Sequence, residues 1–332
     1  MTDPPLPGPP PVRWGVLAPT AQISRLAVLP ALAASPKCHL VAVASESHPD
    51  GGYDTFGAER VLPSYQAVLD DPDVEAVYVP LPNSLHAEWT IKSAEAGKHV
   101  LCEKPLAVSA IEATAMAGAC DRAGVLLLEA YMTPFHPRSA VLEQTLRSGR
   151  LGELRFARTA FTGILGDDAN HRWQPEFGGG ALLDVGIYCL APLLLAAAGR
   201  QPVQLAASAV MTESGVDSSF SGWLDFGLGF TAAFECSFDT PERQRIEVVG
   251  TEAALTMERT FTPGLDDTRI SLLHRDGTTE DIECGGGDPY RGMVDHFATV
   301  LRGGASLRRP PGESIELLTL LDRLRTVAAG AA

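Results

Sequence analysis

From Arg13 to Glu129, short apolar runs alternate with amphipathic stretches. Arg13–Leu17, His39–Ala44, Ala76–Val79, Val100–Cys102 and Val125–Glu129 are largely apolar at successive positions, the pattern of strands buried on both faces of a parallel sheet. Between them, Ala21–Ala34, Tyr65–Leu69, Ser84–Ala96 and Ser109–Ala123 read as helices. Gly97 and Gly124 close the last two, glycine being the residue that most readily takes the left-handed turn after a helix. Strand and helix in this rhythm predict a doubly wound parallel sheet. Ser47–Asp54 holds a proline and two glycines, so the second crossover helix is expected to be truncated.

Beyond Tyr131 the pattern changes. Pro137–Ser148 predicts a helix, and Glu153–Thr162 alternates like a half-buried strand. Ala181–Ala198 predicts a second helix. Strand-like runs follow at Val203–Met211, Phe220–Phe226 and Phe230–Phe238, with Gly227-Leu228-Gly229 suited to a hairpin between the last two. Further runs at Arg245–Val249, Ala254–Met257, Arg269–Leu273 and Glu280–Glu283 precede helices at Tyr290–Leu301 and Glu313–Ala328. The fold class is therefore α/β: a doubly wound parallel sheet, then an α/β domain with a large, mostly antiparallel open sheet and helices on one face. Residues 1–11 read as a disordered proline-rich lead-in, 12–131 as a nucleotide-binding domain and 132–332 as a substrate-binding domain.

Composition narrows the classes of function. With 332 residues, 45% hydrophobic and 20% charged, the chain can bury a sizeable core as a globular protein. A net charge of −15 excludes the basic footprint of a nucleic-acid binder and disfavours an anionic membrane surface. No apolar run is expected to approach the roughly 18 residues of a bilayer span. Met1–Pro11 has neither a basic n-region nor an apolar h-region, so it is not a secretory signal. Six cysteines are scattered and never spaced C-x-x-C, which suits buried free thiols in a reducing cytoplasm and offers no metal site.

Three stretches carry candidate chemistry. Val100-Leu101-Cys102 ends abruptly in Glu103-Lys104-Pro105, which puts Lys104 at the carboxyl end of a strand, where open α/β sheets bind ligands. Lys104 is either a partly desolvated proton handler or an ordinary lysine at a loop start. The first strand leads into Ala18-Pro19-Thr20-Ala21-Gln22-Ile23-Ser24, where a dinucleotide fingerprint would place three glycines. Pro19 removes a donor, Ala21 and Ser24 still permit close packing, and Thr20 adds a hydroxyl. The second strand ends Ser45-Glu46, an acid suited to a ribose 2′-hydroxyl and repelling a 2′-phosphate, which favours NAD over NADP. Gly178-Gly179-Gly180 opens a helix on which Asp184 and Tyr188 share a face. Beside a lysine the pair makes a proton-transfer constellation, in which the ammonium is expected to lower the phenol's pKa; otherwise it is a core helix with a hydrogen-bonded tyrosine. Gly186 between them admits close approach of backbone or ligand, and His171-Arg172-Trp173 lines the same cleft or faces solvent.

Together these stretches resemble the glucose–fructose oxidoreductase / inositol dehydrogenase / MocA family. The matching segments are Val79–His86, Ala96–Leu106, Glu129–Met132 with Phe135-His136-Pro137, and Gly178–Tyr188. The wording around Asn83 is most similar to the dihydrodiol dehydrogenase and xylose dehydrogenase branch. The resemblance implies a Rossmann domain, hydride transfer between NAD or NADP and a sugar-like carbinol or ketone, and a homo-oligomer formed through the open sheet. It implies Lys104 as the catalytic lysine, Tyr188 as the acid/base and Asp184 as the acid that contacts substrate or tunes the tyrosine. The cofactor would lie along Ala18–Ile23, Ser45 and Glu46, Leu81 and Pro82, and around Asn83, His86, Glu103 and Lys104, with Arg172 in the cleft. The Lys104–Pro105 bond is expected to be cis. The branch usually has arginine where Glu46 stands, so its NADP preference does not carry over. Two alternatives remain: a keto-sugar-nucleotide reductase, for which Arg138, Arg172 and Arg291 are the available cations, and a non-catalytic sugar or dinucleotide sensor with a degenerate glycine loop.

Overall fold

Six parallel strands form the first sheet: β1 (Val12–Leu17), β2 (Cys38–Ala44), β3 (Arg60–Leu62), β4 (Ala76–Val79), β5 (His99–Glu103) and β6 (Leu127–Ala130), in the order β3-β2-β1-β4-β5-β6. The computed structural model describes residues 8–166 and 170–330, so residues 1–7 of the proline-rich lead-in lie outside the described residues. Every residue of β4 and β6 is buried, the charged Glu129 of β6 included. Helices α2 (Tyr65–Asp70), α3 (His86–Glu95) and α4 (Ala110–Ala123) follow β3, β4 and β5. Ser64 and Ser109 cap α2 and α4 with their hydroxyls, and Gly124 ends α4 in the left-handed conformation.

No helix bridges β2 and β3. The short β3 is an edge strand that the sequence pattern did not reveal. The amphipathic helix α7 (Pro289–Leu301), from the far end of the chain, packs instead on β2 and on α1 (Leu29–Ala34). Phe297 of α7 meets the fully buried Trp14 of β1 with ring centroids 4.8 Å apart. Chain beyond Tyr131 therefore completes the first core.

The second sheet has eight strands: β7 (Leu154–Ile164), β8 (Gln204–Met211), β9 (Asp217–Asp225), β10 (Thr231–Ser237), β11 (Asp239–Gly250), β12 (Ala253–Glu258), β13 (Arg269–His274) and β14 (Thr279–Glu283). Their order is β14-β13-β12-β11-β7-β10-β9-β8. All neighbours are antiparallel except β7 and β10, which run parallel; three short helical turns, α6 (Ile187–Ala197) and the β8–β9 pair intervene between them. Strand β11 is longer than the predicted Arg245–Val249; a register shift between Asp239 and Arg243 absorbs Pro241. Helix α6 (Ile187–Ala197) packs on β7 and β10, and α8 (Pro311–Gly330) on β8 and α4; α5 (Pro137–Arg147) leads into β7. One helical run, 175–197, does have the length and hydropathy of a membrane span, contrary to expectation; 72% of its most apolar 18-residue stretch is buried inside the protein, as in a core helix. All six cysteines are free thiols, four of them buried.

Candidate active site

Lys104 leaves the carboxyl end of β5 on a loop held from several sides. Tyr78 of β4 donates its hydroxyl to Glu103 Oε1 at 2.7 Å, and the Lys104 N–H donates to Glu103 Oε2 at 3.1 Å. Burial raises the Glu103 carboxyl above its ordinary range. The Lys104–Pro105 bond is cis. Beyond it, the Leu106 N–H donates to Glu129 Oε1 at 2.8 Å, while Glu129 Oε2 accepts from Ser314 Oγ at 2.6 Å and Arg309 Nε at 3.2 Å. His86 is fully buried, with its ring nitrogens 2.8 Å from the carbonyls of Pro105 and Leu81. Asn83 donates to the Gly178 carbonyl at 2.8 Å, tying this edge to the second domain.

The polar groups of the second half arrive on a π-helical turn, Leu182–Gly186, that runs on into α6. Such turns occur often at functional sites. Lys104 Nζ meets Asp184 Oδ1 at 2.6 Å and the Asp184 carbonyl at 3.0 Å. Arg172 Nε donates to Asp184 Oδ2 at 2.9 Å. Burial alone would raise the Asp184 carboxyl, but the Lys104 and Arg172 cations outweigh it and hold the group at about 2. Arg172 thus faces the cleft, on a turn whose first residues Asn170 caps.

Tyr188 lies one turn beyond Asp184. The Lys104 ammonium sits over its ring, 5.1 Å from the centroid, and the rings of Tyr131, Phe161 and Phe261 surround it at 5.0, 5.4 and 5.8 Å. Its hydroxyl donates to Met132 Sδ at 3.7 Å, a weak acceptor. The expected lowering of the phenol's pKa is reversed. Burial pushes it well above its usual value, and the charges of nearby Tyr290, Glu103, Tyr131 and Asp184 push the same way. The ammonium is spent on Asp184 and faces the ring rather than the hydroxyl. Gly186 serves packing: a Cβ there would lie 2.9 Å from Leu182 Cδ1 and 3.2 Å from Cys236 Sγ. The contacts that Tyr78 makes with Glu103, and Met132, Phe161 and Phe261 with Tyr188, escaped the sequence reading, since each joins segments far apart in the chain.

The carboxyl ends of β1, β2, β4 and β5 carry Ala18–Ile23, Ser45-Glu46, Leu81–Asn83 and Glu103-Lys104 in turn, around the switch point between β1 and β4. Ala18 takes φ +50°, a conformation glycine usually supplies. Ser24 Oγ donates back to the Ala18 carbonyl at 3.2 Å, which draws the helix start onto the strand. Pro19 is buried, while Thr20, Ala21 and Ile23 stay partly accessible and Gln22 is exposed. Thr20 and Ser45 approach at 3.4 Å, Ser45 and Ser47 at 3.1 Å, and Ser47 and His48 at 2.9 Å. Glu46 is exposed. A left-handed turn, a helix start and a row of hydroxyls fit a dinucleotide despite the missing glycines.

Residues 20–131 match the family described as an oxidoreductase family with an NAD-binding Rossmann fold, and residues 140–256 match the GFO/IDH/MocA C-terminal domain. A D-xylose 1-dehydrogenase (NADP(+)) from Haloferax volcanii is 35% identical over 94% of this chain and 95% of its own length. The chain belongs to the GFO/IDH/MocA family. It is an NAD(P)-dependent oxidoreductase. A second member, a dTDP-3,4-didehydro-2,6-dideoxy-α-D-glucose 3-reductase from Saccharopolyspora spinosa, is 36% identical over 90% of each chain. Among solved structures, a 3-ketoreductase from Actinomadura kijaniata with NADP and TDP-benzene superposes with a TM-score of 0.88 at 31% identity, covering 95% of this chain and 97% of that one. The xylose dehydrogenase and the 3-ketoreductase are both described with NADP, so the preference for NAD read from Glu46 finds no support in them.

Proposed function

We propose that this oxidoreductase interconverts a carbinol and a ketone on a sugar or cyclic polyol, with Tyr188 handling the proton and Lys104 stabilising the oxygen. The observation that carries the reading is the meeting of Lys104, from the first domain, with Asp184 and the Tyr188 ring, from the second, at the carboxyl edge of the parallel sheet. The dinucleotide, when bound, supplies or accepts the hydride. A phenol with so high a pKa keeps its proton, so in ketone reduction Tyr188 is the donor to the carbonyl oxygen. Its hydroxyl rests on a thioether and gives up that weak partner at little cost. Lys104, fixed by Asp184, offers positive charge to the oxyanion that develops. Arg172 anchors the other oxygen of Asp184.

The arginines available for a nucleoside diphosphate are engaged elsewhere. Arg138 donates to the carbonyls of Glu258 and Arg259 at 2.9 and 2.7 Å, Arg291 to the Ala34 carbonyl and Asp295 at 2.7 and 2.9 Å, and Arg172 to Asp184. This favours free sugars or polyols over nucleotide sugars. For the dinucleotide we place NADP first: Thr20, Ser45, Ser47 and His48 offer donors to a 2′-phosphate, and Glu46 stands exposed beside them. The reading includes a reducing compartment, the cytoplasm, and a homo-oligomer through the second sheet, where Arg158, Arg243 and Arg245 alternate with Glu235, Glu247 and Glu258 around a cavity. The test is a panel of aldoses, cyclic polyols, dihydrodiols and nucleoside-diphosphate keto-sugars with both dinucleotides, followed by absorbance of the reduced nicotinamide. Turnover of free sugars or polyols is expected. Turnover of nucleotide sugars alone would make the substrate class wrong, and none at all would remove the reading.

A further inference from the structure

Three consecutive glycines open the segment that carries Asp184 and Tyr188, and each is required by a different contact. A Cβ on Gly178 would lie 2.5 Å from Val108 Cγ1 and 3.1 Å from Asn83 Cβ; on Gly179, 2.4 Å from the Arg172 carbonyl oxygen; on Gly180, 2.3 Å from Asp217 Oδ1. Gly178 and Gly180 also take φ of +72° and +110°, where side chains are strained.

Glycine has no side chain with which to cap the helix that follows, and the cap comes from another element. Asp217, at the start of β9, is buried, and its Oδ2 accepts from the Leu182 N–H at 2.6 Å. The Ala181 N–H reaches the same carboxylate. A carboxylate at this point satisfies donors that have no partner within the helix and lies at the positive end of its dipole. Arg325 of α8 is the cation that faces Asp217. The missing Cβ of Gly180 is what lets Asp217 come so close.

We infer that Asp217 is a positioning residue for the oxidoreductase centre: by capping the helix at Leu182 it sets the register that brings Asp184 onto the Lys104 ammonium and the Tyr188 ring beneath it. Asp184 and Tyr188 sit within the next turn and a half, so a slip at the cap moves both. Displacements of about 1 Å at a reacting centre lower rates by about a hundredfold. The inference rests on the roles proposed for Lys104 and Tyr188.

The experiment compares Asp217→Ala with Asp217→Asn, which keeps one acceptor for Leu182. Turnover and the NADPH Kd, by fluorescence titration, are measured for each, with a crystal structure of Asp217→Ala. The expected result is kcat reduced by about a hundredfold in Asp217→Ala, largely restored in Asp217→Asn, with the NADPH Kd unchanged. If Asp217→Ala does not fold, Asp217→Ser takes its place, since its shorter side chain draws the acceptor back from the Leu182 N–H: a kcat below that of Asp217→Asn at unchanged Kd supports the role, and a kcat equal to wild type overturns it. A lower melting temperature with unchanged kcat in Asp217→Ala also overturns it. Should the wild-type protein turn over no substrate, the functional reading fails separately, and the crystal structure still decides. Separation of Lys104 Nζ and Asp184 Oδ1 beyond hydrogen-bond reach supports the inference, and an unchanged contact sinks it.

Discussion

Asp184 holds two cations on one buried carboxylate, and that fixes its dependence on pH. Its folded value, about 2, lies below its ordinary 3.8. A depressed carboxyl contributes stability that is complete above the unfolded pKa and is lost as pH falls through the folded one. The contribution is about 2 kcal/mol. Asp184→Asn is therefore less stable than wild type in urea at neutral pH, and the gap narrows by about that amount between about pH 4 and pH 2. A gap that does not change with pH would mean the carboxylate is not paired in solution. At the other end of the crevice, Glu46 stands beside the hydroxyls of Ser45 and Ser47. With the dinucleotide placed as proposed, its anion would repel a 2′-phosphate, so Glu46→Ala is expected to bind NADPH about threefold to tenfold more tightly while NADH binding changes less, as a surface charge contact of roughly 1 kcal/mol dictates. Fluorescence titration of both dinucleotides measures this, and equal changes for the two would remove Glu46 from the 2′ site.

The loop after β5 shows what holds an element to its task. Glu129 joins the Leu106 N–H, Arg309 and Ser314 in one buried knot. Glu129→Gln keeps an acceptor for Leu106 but leaves the Arg309 guanidinium without its anion, with side chains only 8% and 4% exposed in the native pair. Stripping one partner from a buried pair costs about 3–5 kcal/mol, so a loss of that order in unfolding free energy by urea titration is expected; a loss near zero would show that water already compensates Arg309. This knot was not legible in the sequence, because Arg309 and Glu129 are 180 residues apart. The strands Ala76–Val79 and Val100–Cys102 were legible, since burial on both faces demands apolar runs, and the structure extends the second to His99–Glu103. A strand end and a glycine-led helix are local patterns, so Lys104, Asp184 and Tyr188 stood out as candidates, although their roles came from the resemblance; the structure brings the three side chains together. The edge strand β3, the parallel pairing of β7 with β10 and the cap from Asp217 depend on contacts between distant segments, which periodicity does not carry.

At the scale of the molecule, the two halves share their cores. Helix α7 returns from the end of the chain to cover the sheet where the second crossover helix is missing, and Phe297 seals Trp14. Phe297→Ala opens a cavity far from the crevice and is expected to cost about 3–5 kcal/mol. Its effect appears in the first domain: the Trp14 fluorescence transition in urea moves to lower denaturant together with loss of NADPH binding. If Trp14 fluorescence and dinucleotide binding are unaffected, the halves are independent and the crossover packing is not what holds the cofactor edge in place. The crevice itself joins an ammonium from one half to a carboxylate and a phenol from the other, and the whole account turns on that phenol. The most direct test is single-turnover ketone reduction by Tyr188→Phe, with the NADPH Kd measured on the same sample. A rate lower by about 10²–10⁴-fold at unchanged Kd is predicted. A rate equal to wild type would contradict the assignment of Tyr188 as the proton donor.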